Sequence, residues 1–210
     1  MIRILIADDH DIVRKGLKQI IMENPNLVVT GEATNGQEAL DLAWTQDFDV
    51  AILDIAMPGR GGLDILKILK TEKPSIKIIM LSMYSEEQYA IRCIRDGASA
   101  YLTKSNASEE LLQAIETVAI GKKYITPSVA ERLAYYIDED NNHLPHEKLS
   151  DRELQVFVMI GSGKSVTDIA AELSLSMKTI STYRARLLEK MAMSTNAQII
   201  KYTLKNQLEE

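Results

Sequence analysis

The sequence is poor in cysteine and has no long hydrophobic run, and each absence excludes a class of protein. Cys93 is its only cysteine, which rules out an internal disulfide and makes a thiolate metal cluster implausible. The longest apolar stretches, such as Ile76 to Leu81, are far shorter than the roughly 20 residues that a bilayer-spanning helix needs. The first residues lead straight into a strand-like run, which is not the pattern of a signal peptide. We therefore expect a cytoplasmic protein with no membrane span.

Internal repeats and low-complexity segments are also absent from the sequence. Hydrophobic residues make up 46% of the chain and charged residues 26%, which is the composition of a globular protein. A length of 210 residues leaves room for one or two domains. The net charge of -6 argues weakly against nucleic-acid binding by the chain as a whole. From Leu149 to the end, however, 8 Lys and Arg stand against 7 Asp and Glu, a balance of about +1. Most of the acidity therefore lies earlier in the chain.

The first part of the sequence alternates short β-branched apolar runs with amphipathic stretches. This alternation predicts a repeated strand-helix unit with a parallel sheet and right-handed crossovers. We expect an α/β, flavodoxin-like, doubly wound parallel sheet of five strands in the order 2-1-3-4-5. The predicted strands are Ile2 to Ala7, Leu27 to Glu32, Val50 to Leu53, Ile76 to Leu81 and Ala100 to Leu102. The predicted helices are Asp11 to Met22, Gly36 to Trp44, Gly62 to Thr71, Glu86 to Arg95 and Ser108 to Ile120.

The alternation ends at residue 120, and the chain becomes purely helical after residue 148. We interpret residues 121–148 as a linker with one short helix, Pro127 to Ile137, and a polar run up to His143. Residues 149–210 predict an all-α domain of four helices. These helices are expected to begin near Ser150, Ser165, Ser176 and Asn196, and the first two starts have the spacing of a capping box. The predicted domains are therefore 1–120 and 149–210.

Polar side chains follow four of the predicted strands at the point where each strand ends. Asp8 and Asp9 come after the first strand, Asp54 after the third, Ser82 after the fourth and Lys104 after the fifth. Ligands bind at the carboxyl ends of the strands in an open α/β sheet, so we expect one shallow site here. Clustered carboxylates need a cation, and oxygen ligands with open positions suit Mg²⁺. Lys104 and Ser82 would then hold phosphoryl oxygens, which leaves Asp54 as the nucleophile for a transferred phosphoryl group.

The motifs around these positions resemble the receiver domain of bacterial response regulators, over about residues 2 to 120. They are Asp8-Asp9, Asp54-Ile55-Ala56-Met57-Pro58-Gly59, Leu81-Ser82 and Tyr101-Leu102-Thr103-Lys104.

The resemblance implies that Asp54 is the phosphoacceptor. It implies Asp9, Asp54 and the backbone carbonyl of Ala56 as the ligands of Mg²⁺, and Asp8 as an outer-shell acid. It also implies that Ser82 and Lys104 bind the phosphoryl oxygens, and that Tyr101 is the aromatic whose rotamer reports the position of Ser82.

Each of these residues also has a purely structural interpretation. A single Asp at a strand end is usually a helix cap or a turn residue. Only the occurrence of suitable polar residues at several strand ends together favours a chemical role. Tyr101 is alternatively a half-buried strand aromatic. His10, next to the acidic pair, is either a catalytic base or, as we favour, part of the helix cap.

Two of the predicted C-terminal helices are joined by a very short connection. Ser165 to Leu173 and Ser176 to Met191 are separated only by Ser174-Leu175, and the second helix is basic, which matches a helix-turn-helix. Apolar residues stand at core spacing, namely Ile169, Ala170, Leu173, Ile180, Leu187, Leu188 and Met191. The predicted DNA-binding residues are Lys178, Thr179, Ser181, Thr182 and Arg184, together with Arg186 and Lys190 for phosphate contacts.

The segment from Leu149 to Met191 resembles the four-helix output domain of the LuxR type, and the whole chain resembles the NarL/FixJ family. Tyr183 and Thr167 depart from the His and Lys that many members have there. The resemblance implies a transcription regulator, not an enzyme, which a sensor histidine kinase phosphorylates. It also implies binding to double-stranded DNA and a homodimer on DNA or when phosphorylated. The last helix offers Ile199, Ile200, Thr203 and Leu204 either to a second copy or to its own domain.

Two other functions stay open at this point. An aspartyl-phosphate phosphatase shares the Asp nucleophile at a strand end, but that class needs a second Asp two residues on, where this chain has Ala56. A regulator that acts through protein contacts would use the C-terminal helices as a small bundle without binding DNA. Salt-dependent binding to duplex DNA separates that case from a DNA-binding regulator.

Overall fold

The computed structural model describes residues 1–83, 86–138, 144–206 and 208. The chain divides into two compact units, Met1–Ala130 and Glu131–Glu210. The polar run predicted from Asp138 to His143 lies outside the described residues after its first residue. Across the described ranges, no helix has both the length and the hydropathy to cross a membrane.

The first unit is an α/β fold around one five-stranded sheet, as the sequence predicts. The strand order is β2-β1-β3-β4-β5, and every neighbouring pair is parallel. The strands are β1 (Ile2–Ala7), β2 (Leu27–Ala33), β3 (Val50–Asp54), β4 (Lys77–Ser82) and β5 (Ala100–Thr103). The helices are α1 (Asp11–Met22), α2 (Gly36–Thr45), α3 (Gly62–Glu72), α4 (Glu86–Arg95) and α5 (Ala107–Ala119).

The central strands are buried over almost their whole length because helices pack against the sheet. Every residue of β3 is buried, and the β1 residues from Ile4 to Ala7 are at most 1% exposed. Leu17 of α1 and Leu111 of α5 belong to the apolar cluster that covers one face. The core thus fixes where each strand ends, and the polar residues at or just after these ends are held at one edge.

The chain after α5 packs back onto the sheet. The backbone N–H of Tyr124 donates to the carbonyl of Ser99 at 2.9 Å, and Tyr124 forms an isolated parallel bridge with Ala100. In α6 (Pro127–Asp138), Val129 is 2% exposed. The first compact unit therefore extends past the predicted end at residue 120. A single bridging residue leaves no periodicity in the sequence, so the pattern gave no sign of this packing.

The second unit is all-α in its described part. A short 3-10 helix, Pro145–Lys148, precedes α7 (Asp151–Gly161), α8 (Val166–Glu172), α9 (Met177–Lys190) and α10 (Asn196–Lys205). Ser174, in the connection between α8 and α9, takes a φ of 53°, which turns the chain sharply. All the apolar residues predicted for this core are buried, namely Ile169, Ala170, Leu173, Ile180, Leu187, Leu188 and Met191.

Capping boxes fix the starts of three helices in this unit. In each box the Ser or Thr side chain accepts from a backbone N–H three residues on, and the side chain there accepts in return. The capping boxes of α7 and α8 are predicted from the sequence, whereas the capping box of α10 is not. The pairs are Ser150 with Glu153, Ser165 with Asp168, and Thr195 with Gln198.

Candidate functional site

Four strands end side by side and bring polar side chains together. The register pairs Asp54 with Leu81 and Ser82 with Thr103, so the ends of β3, β4 and β5 are level, and β1 lies beside β3. Asp8, Asp54 and Ser82 are all buried. The sheet therefore holds two carboxylates and a hydroxyl out of bulk water at its carboxyl edge, where the sequence predicts a site.

Lys104 completes this group from the end of β5. Its Nζ lies 2.7 Å from Oδ2 of Asp8 and 3.0 Å from Oδ2 of Asp54, and its side chain is only 8% exposed. Its backbone N–H donates to the carbonyl of Ser82 at 2.7 Å, which fixes the turn after β5. Burial alone would lower the pKa of Lys104, but the carboxylates of Asp54 and Asp8 outweigh it and raise that pKa. The ammonium is therefore held charged between two carboxylates.

The Asp54 carboxyl is unusually basic. Burial raises its pKa from 3.8 to about 6, the Lys104 ammonium lowers it, and the nearby Asp8 carboxylate raises it. The backbone N–H of Ala56 donates to this carboxyl, so the main chain at Ala56 lies against Asp54. At neutral pH Asp54 is still mostly a carboxylate, the form that a nucleophile needs.

His10 lies over the acidic residues. Its Nδ1 is 3.1 Å from Oδ1 of Asp8 and 2.9 Å from Oδ1 of Asp9. Its backbone N–H donates to Oδ1 of Asp8 at 2.8 Å. His10 occupies the N-cap position of α1 without a side-chain cap hydrogen bond, and its side chain is 61% exposed. The structure thus gives it the cap position that we favour, with an imidazole that also reaches both carboxylates.

The donor atoms of this cluster fit a divalent metal ion. One ligand atom each from Asp8, Asp9, His10 and Asp54 lies within 4.8 Å of all the others. Oδ1 of Asp9 is buried and makes no well-aligned hydrogen bond among the described residues, although Nδ1 of His10 lies 2.9 Å away. A hard cation would give that oxygen a ligand bond and would offset the repulsion between the carboxylates.

The affinity of this cluster for a divalent cation is expected to fall as the pH drops through about 6. Below that pH a proton occupies the Asp54 carboxyl and competes with the metal. In the metal-free protein, the same raised pKa makes the free energy of unfolding decrease as the pH rises from 3.8 toward about 6. The folded state then keeps a proton that the unfolded chain has released. Calorimetric titration with Mg²⁺ from pH 8 to pH 5 checks the first expectation, and an unchanged affinity over that range would contradict it.

Tyr101 is fully inside the first unit. It is 2% exposed on β5, where it pairs with Met80 of β4. It is therefore more buried than the half-buried aromatic we considered as its alternative, and its switch role stays a prediction. Gly59 takes a φ of 71°, and the chain bends at Met57-Pro58-Gly59, shortly after Asp54.

The exposed surface of α9 carries most of the predicted DNA-binding residues. Lys178 and Arg186 are exposed, and with Tyr183 and two threonines they line a shallow depression. The lining residues are Lys178, Thr179, Thr182, Tyr183 and Arg186. Their spacing along the helix places them on one side, and Ser181 is exposed on α9 as well.

Two predicted DNA-binding residues are instead engaged within their own unit. Nε of Arg184 donates to Oδ1 of Asn196 at 2.7 Å, which ties α9 to the start of α10. Nζ of Lys190 lies 2.6 Å from Oε2 of Glu153, whose side chain is 4% exposed. Because a buried carboxylate needs a counter-charge, Lys190 is a structural cation in this arrangement. Lys190 is therefore paired within its own unit, and its phosphate contact stays a prediction.

Sequence reasoning missed three residues of the same surface. Tyr183 lines the depression, Met177 is 57% exposed at the first position of α9, and Ala185 is exposed beside Arg186. Tyr183 follows Thr179 by four positions, and that helical spacing was the signal available. Met177 is also in contact with α8, since Oγ1 of Thr167 donates to its Sδ at 3.6 Å.

Comparison with protein families matches both units of the chain. Residues 4–116 match the model of the response regulator receiver domain. Residues 147–203 match the model of the bacterial regulatory proteins of the luxR family.

Individual proteins are similar over nearly the whole chain. Response regulator GacA of Pseudomonas aeruginosa is 36% identical over 95% of this chain and 94% of its own length. Response regulator UvrY of Escherichia coli is 34% identical over 99% of this chain and 96% of its own. Among solved structures, RcsB from Salmonella enterica serovar Typhimurium, bound to promoter P1flhDC in the presence of phosphomimetic BeF3⁻, gives a TM-score of 0.67. Its identity is 25%, and the match covers 96% of this chain and 97% of that one.

Proposed function

Because the chain belongs to the two-component response regulators that join a receiver domain to a LuxR-type DNA-binding domain, we propose that Mg²⁺-dependent phosphorylation of Asp54 controls its binding to DNA. The observation that carries this proposal is the meeting of Asp8, Asp54, Ser82 and Lys104 at one edge of the sheet. The relatives are DNA-binding response regulators and not enzymes. A phosphatase is also disfavoured because Ala56 stands where a second Asp would be needed.

In the proposed reaction, a carboxylate oxygen of Asp54 attacks the phosphoryl group carried by a histidine of a partner sensor kinase. The new O–P bond forms as the N–P bond to that histidine breaks. Asp9, Asp54 and the carbonyl of Ala56 would hold Mg²⁺, with Asp8 in its outer shell, and the metal would supply positive charge for the phosphoryl oxygens. Lys104 and Ser82 would contact those same oxygens.

The ion pairs of Lys104 suggest how phosphorylation changes the structure. In the unmodified site its ammonium lies 3.0 Å from Oδ2 of Asp54. Once Asp54 carries the phosphoryl group as an acyl phosphate, the negative charge moves outward onto the phosphoryl oxygens, and Lys104 would follow it. Ser82 would move toward the same oxygens, and Tyr101 would fill the space that Ser82 leaves. Phosphorylation can only shift an existing equilibrium between two such arrangements.

DNA recognition is assigned to the exposed side of α9. Lys178, near the N-terminal end of the helix, is suited to reading a base edge in the major groove, with Thr179, Ser181 and Thr182 beside it. Arg186 is suited to a phosphate. Arg184 and Lys190 are assigned supporting roles, because each is bound to a residue of its own unit.

Lys178→Ala is expected to weaken binding to the specific duplex by about 1 to 3 kcal/mol, if Lys178 reads a base. Arg186→Ala is expected to weaken binding to all duplexes and to lower the salt slope by about one, since one phosphate contact is lost. Lys205→Ala, at an exposed position of α10, is the control and should bind like wild type. Fluorescence anisotropy over a range of salt concentrations measures all three. Equal, sequence-independent losses in the Lys178 and Lys205 variants would contradict the assignment of α9.

DNA affinity and the dimer fraction of the full-length protein are expected to rise together on phosphorylation. A single helix-turn-helix binds weakly, and two copies on neighbouring half-sites bind better, so dimerisation is the natural point of control. Within α10, Ile199 and Thr203 are buried in their own unit, whereas Leu204 is 52% exposed and Ile200 is half-buried. Only the latter pair is therefore open to a second copy.

The coupling is measured by titrating DNA at fixed salt with and without beryllofluoride and Mg²⁺, alongside sedimentation. We expect an increase in affinity of about tenfold, within the usual range of coupling energies. The Asp54→Asn protein should show no increase. Identical binding and identical dimer fractions for wild type with and without beryllofluoride would exclude the proposed switch.

A further inference from the structure

A cluster of lysines lies at the end of the sheet opposite Asp54. Lys77 is the first residue of β4, Lys70 is in the last turn of α3, and Lys123 follows α5. β4 places Lys77 and Ser82 five residues apart, about 16 Å along an extended strand. The cluster is therefore separate from the Asp54 site, although both lie in the first unit.

Lys70 and Lys123 both contact one turn of the chain at Gly97, and Lys77 follows the residue whose carbonyl accepts from Lys70. The stem of Lys70 crosses Gly97, with its Cγ 3.0 Å from the place where a Cβ of Gly97 would stand. Nζ of Lys123 donates to the carbonyl of Ile94 at 3.4 Å, and the N–H of Gly97 donates to the same carbonyl at 3.3 Å. Nζ of Lys70 donates at 3.5 Å to the carbonyl of Ile76, the residue before Lys77.

The positive charge of this cluster is not balanced by neighbouring acids. Among the described residues, no carboxylate lies within ion-pair distance of Lys70, Lys77 or Lys123, whereas nearby Lys67 pairs with Asp96 at 3.3 Å. Burial lowers the pKa of Lys70, and the charges of Lys77 and Lys123 lower it further. In the described structure, the side chains of Lys70 and Lys123 make only these two long hydrogen bonds to backbone carbonyls. Three ammonium groups thus repel one another in a protein of net charge -6.

We propose that Lys70, Lys77 and Lys123 bind a small anion with two adjacent phosphoryl groups, of the pyrophosphate class. Lysine binds phosphate as a point charge with three donors, so three lysines suit an anion that carries several charges. A diphosphate group is long enough to contact more than one ammonium at once, which a single phosphate does less well. The anion would replace the repulsion within the cluster by attraction. This site does not depend on the phosphorylation of Asp54.

The test is calorimetric titration of the full-length protein with pyrophosphate at low salt, in metal-free buffer so that the acidic cluster cannot bind the anion through a metal. We expect one site in wild type, and an affinity at least about tenfold lower in Lys70→Gln and in Lys123→Gln, since each loses a charged hydrogen-bond donor. Lys18→Gln removes the same charge from a lysine that pairs with Glu32 at 2.5 Å, and it should bind like wild type. Arg186→Ala should also bind like wild type, which separates this cluster from the surface of α9.

Thermal unfolding of each variant verifies that the first unit is folded, and the exposed Lys123 is the substitution with the least effect on packing. Equal pyrophosphate affinity in wild type and in both variants would overturn the proposal, as would the absence of binding by wild type. Retention of a single-stranded oligonucleotide through Lys70 and Lys123, without affinity for pyrophosphate, would also overturn it in favour of a nucleic-acid surface.

Discussion

Asp54→Asn is expected to abolish incorporation of phosphate from acetyl phosphate in the presence of Mg²⁺. An amide is a far weaker nucleophile than a carboxylate, and it removes one of the oxygens expected to hold the metal. The other buried carboxylate of this site, Asp8, is 2.7 Å from the Lys104 ammonium and is expected to face the metal, not the phosphodonor. We therefore expect loss of labelling by at least about a hundredfold, the lower range for the loss of a group essential to catalysis.

Intact-protein mass spectrometry at low temperature measures the aspartyl phosphate directly. Asp47→Asn makes the same chemical change at a side chain that is 80% exposed, and this control should be labelled like wild type. Labelling of Asp54→Asn at the wild-type rate would show that another residue is the acceptor. That result would leave the fold and family intact but would remove the basis of the proposed switch.

Gly62→Ala is expected to lower the free energy of unfolding by about 3 kcal/mol, at the upper end of overpacking effects. Gly62 begins α3, and its N–H donates to the carbonyl of Ile55 at 3.1 Å. A Cβ there would overlap the carbonyl oxygen of Asp54 and lie 2.8 Å from its carbonyl carbon. These are backbone atoms of a fully buried strand, so they cannot move aside as the end of a side chain can.

Gly16→Ala is the matched control, because Gly16 is exposed on α1 and no atom beyond its own stretch of helix lies within 4 Å of the added methyl group. This substitution should stabilise the protein by up to about 1 kcal/mol, the difference in helix propensity. Urea unfolding of both variants gives the comparison. If the Gly62→Ala variant were as stable as wild type, that result would contradict the close approach of α3 to the main chain of Asp54.

The close contact between Gly62 and the main chain of Asp54 should also affect the rate of phosphorylation. A methyl group at position 62 would displace the main chain at Asp54, and Lys104, Asp8 and Ala56 are all arranged around that residue. Phosphorylation of the Gly62 variant should therefore be slower even at temperatures where it stays folded. Gly16→Ala should leave the rate of phosphorylation unchanged.

The sequence by itself determined the fold class and the strand order, and it placed each strand end to within one residue. The runs of apolar, β-branched residues in β1, β3 and β4 leave few other places for the strands, because both faces of a parallel sheet are buried. Once the strands are known, the rule that sites form at their carboxyl ends places Asp8, Asp54, Ser82 and Lys104 together. The starts of α7 and α8 were equally readable, because a capping box is a local pattern.

Only the tertiary structure decided which of the basic side chains are available to bind a ligand and which are paired within the protein. Lys190 is paired with Glu153, 37 residues earlier, and Arg184 with Asn196 across the turn between two helices. Lys70 and Lys123 come together although they lie on different elements, because both contact the turn at Gly97. Periodicity reports which face of its own helix a residue occupies, and it carries no information on which distant side chain meets that face. Charge and helix position were therefore set by the sequence, whereas the partner of each charge was set by the packing of the helices.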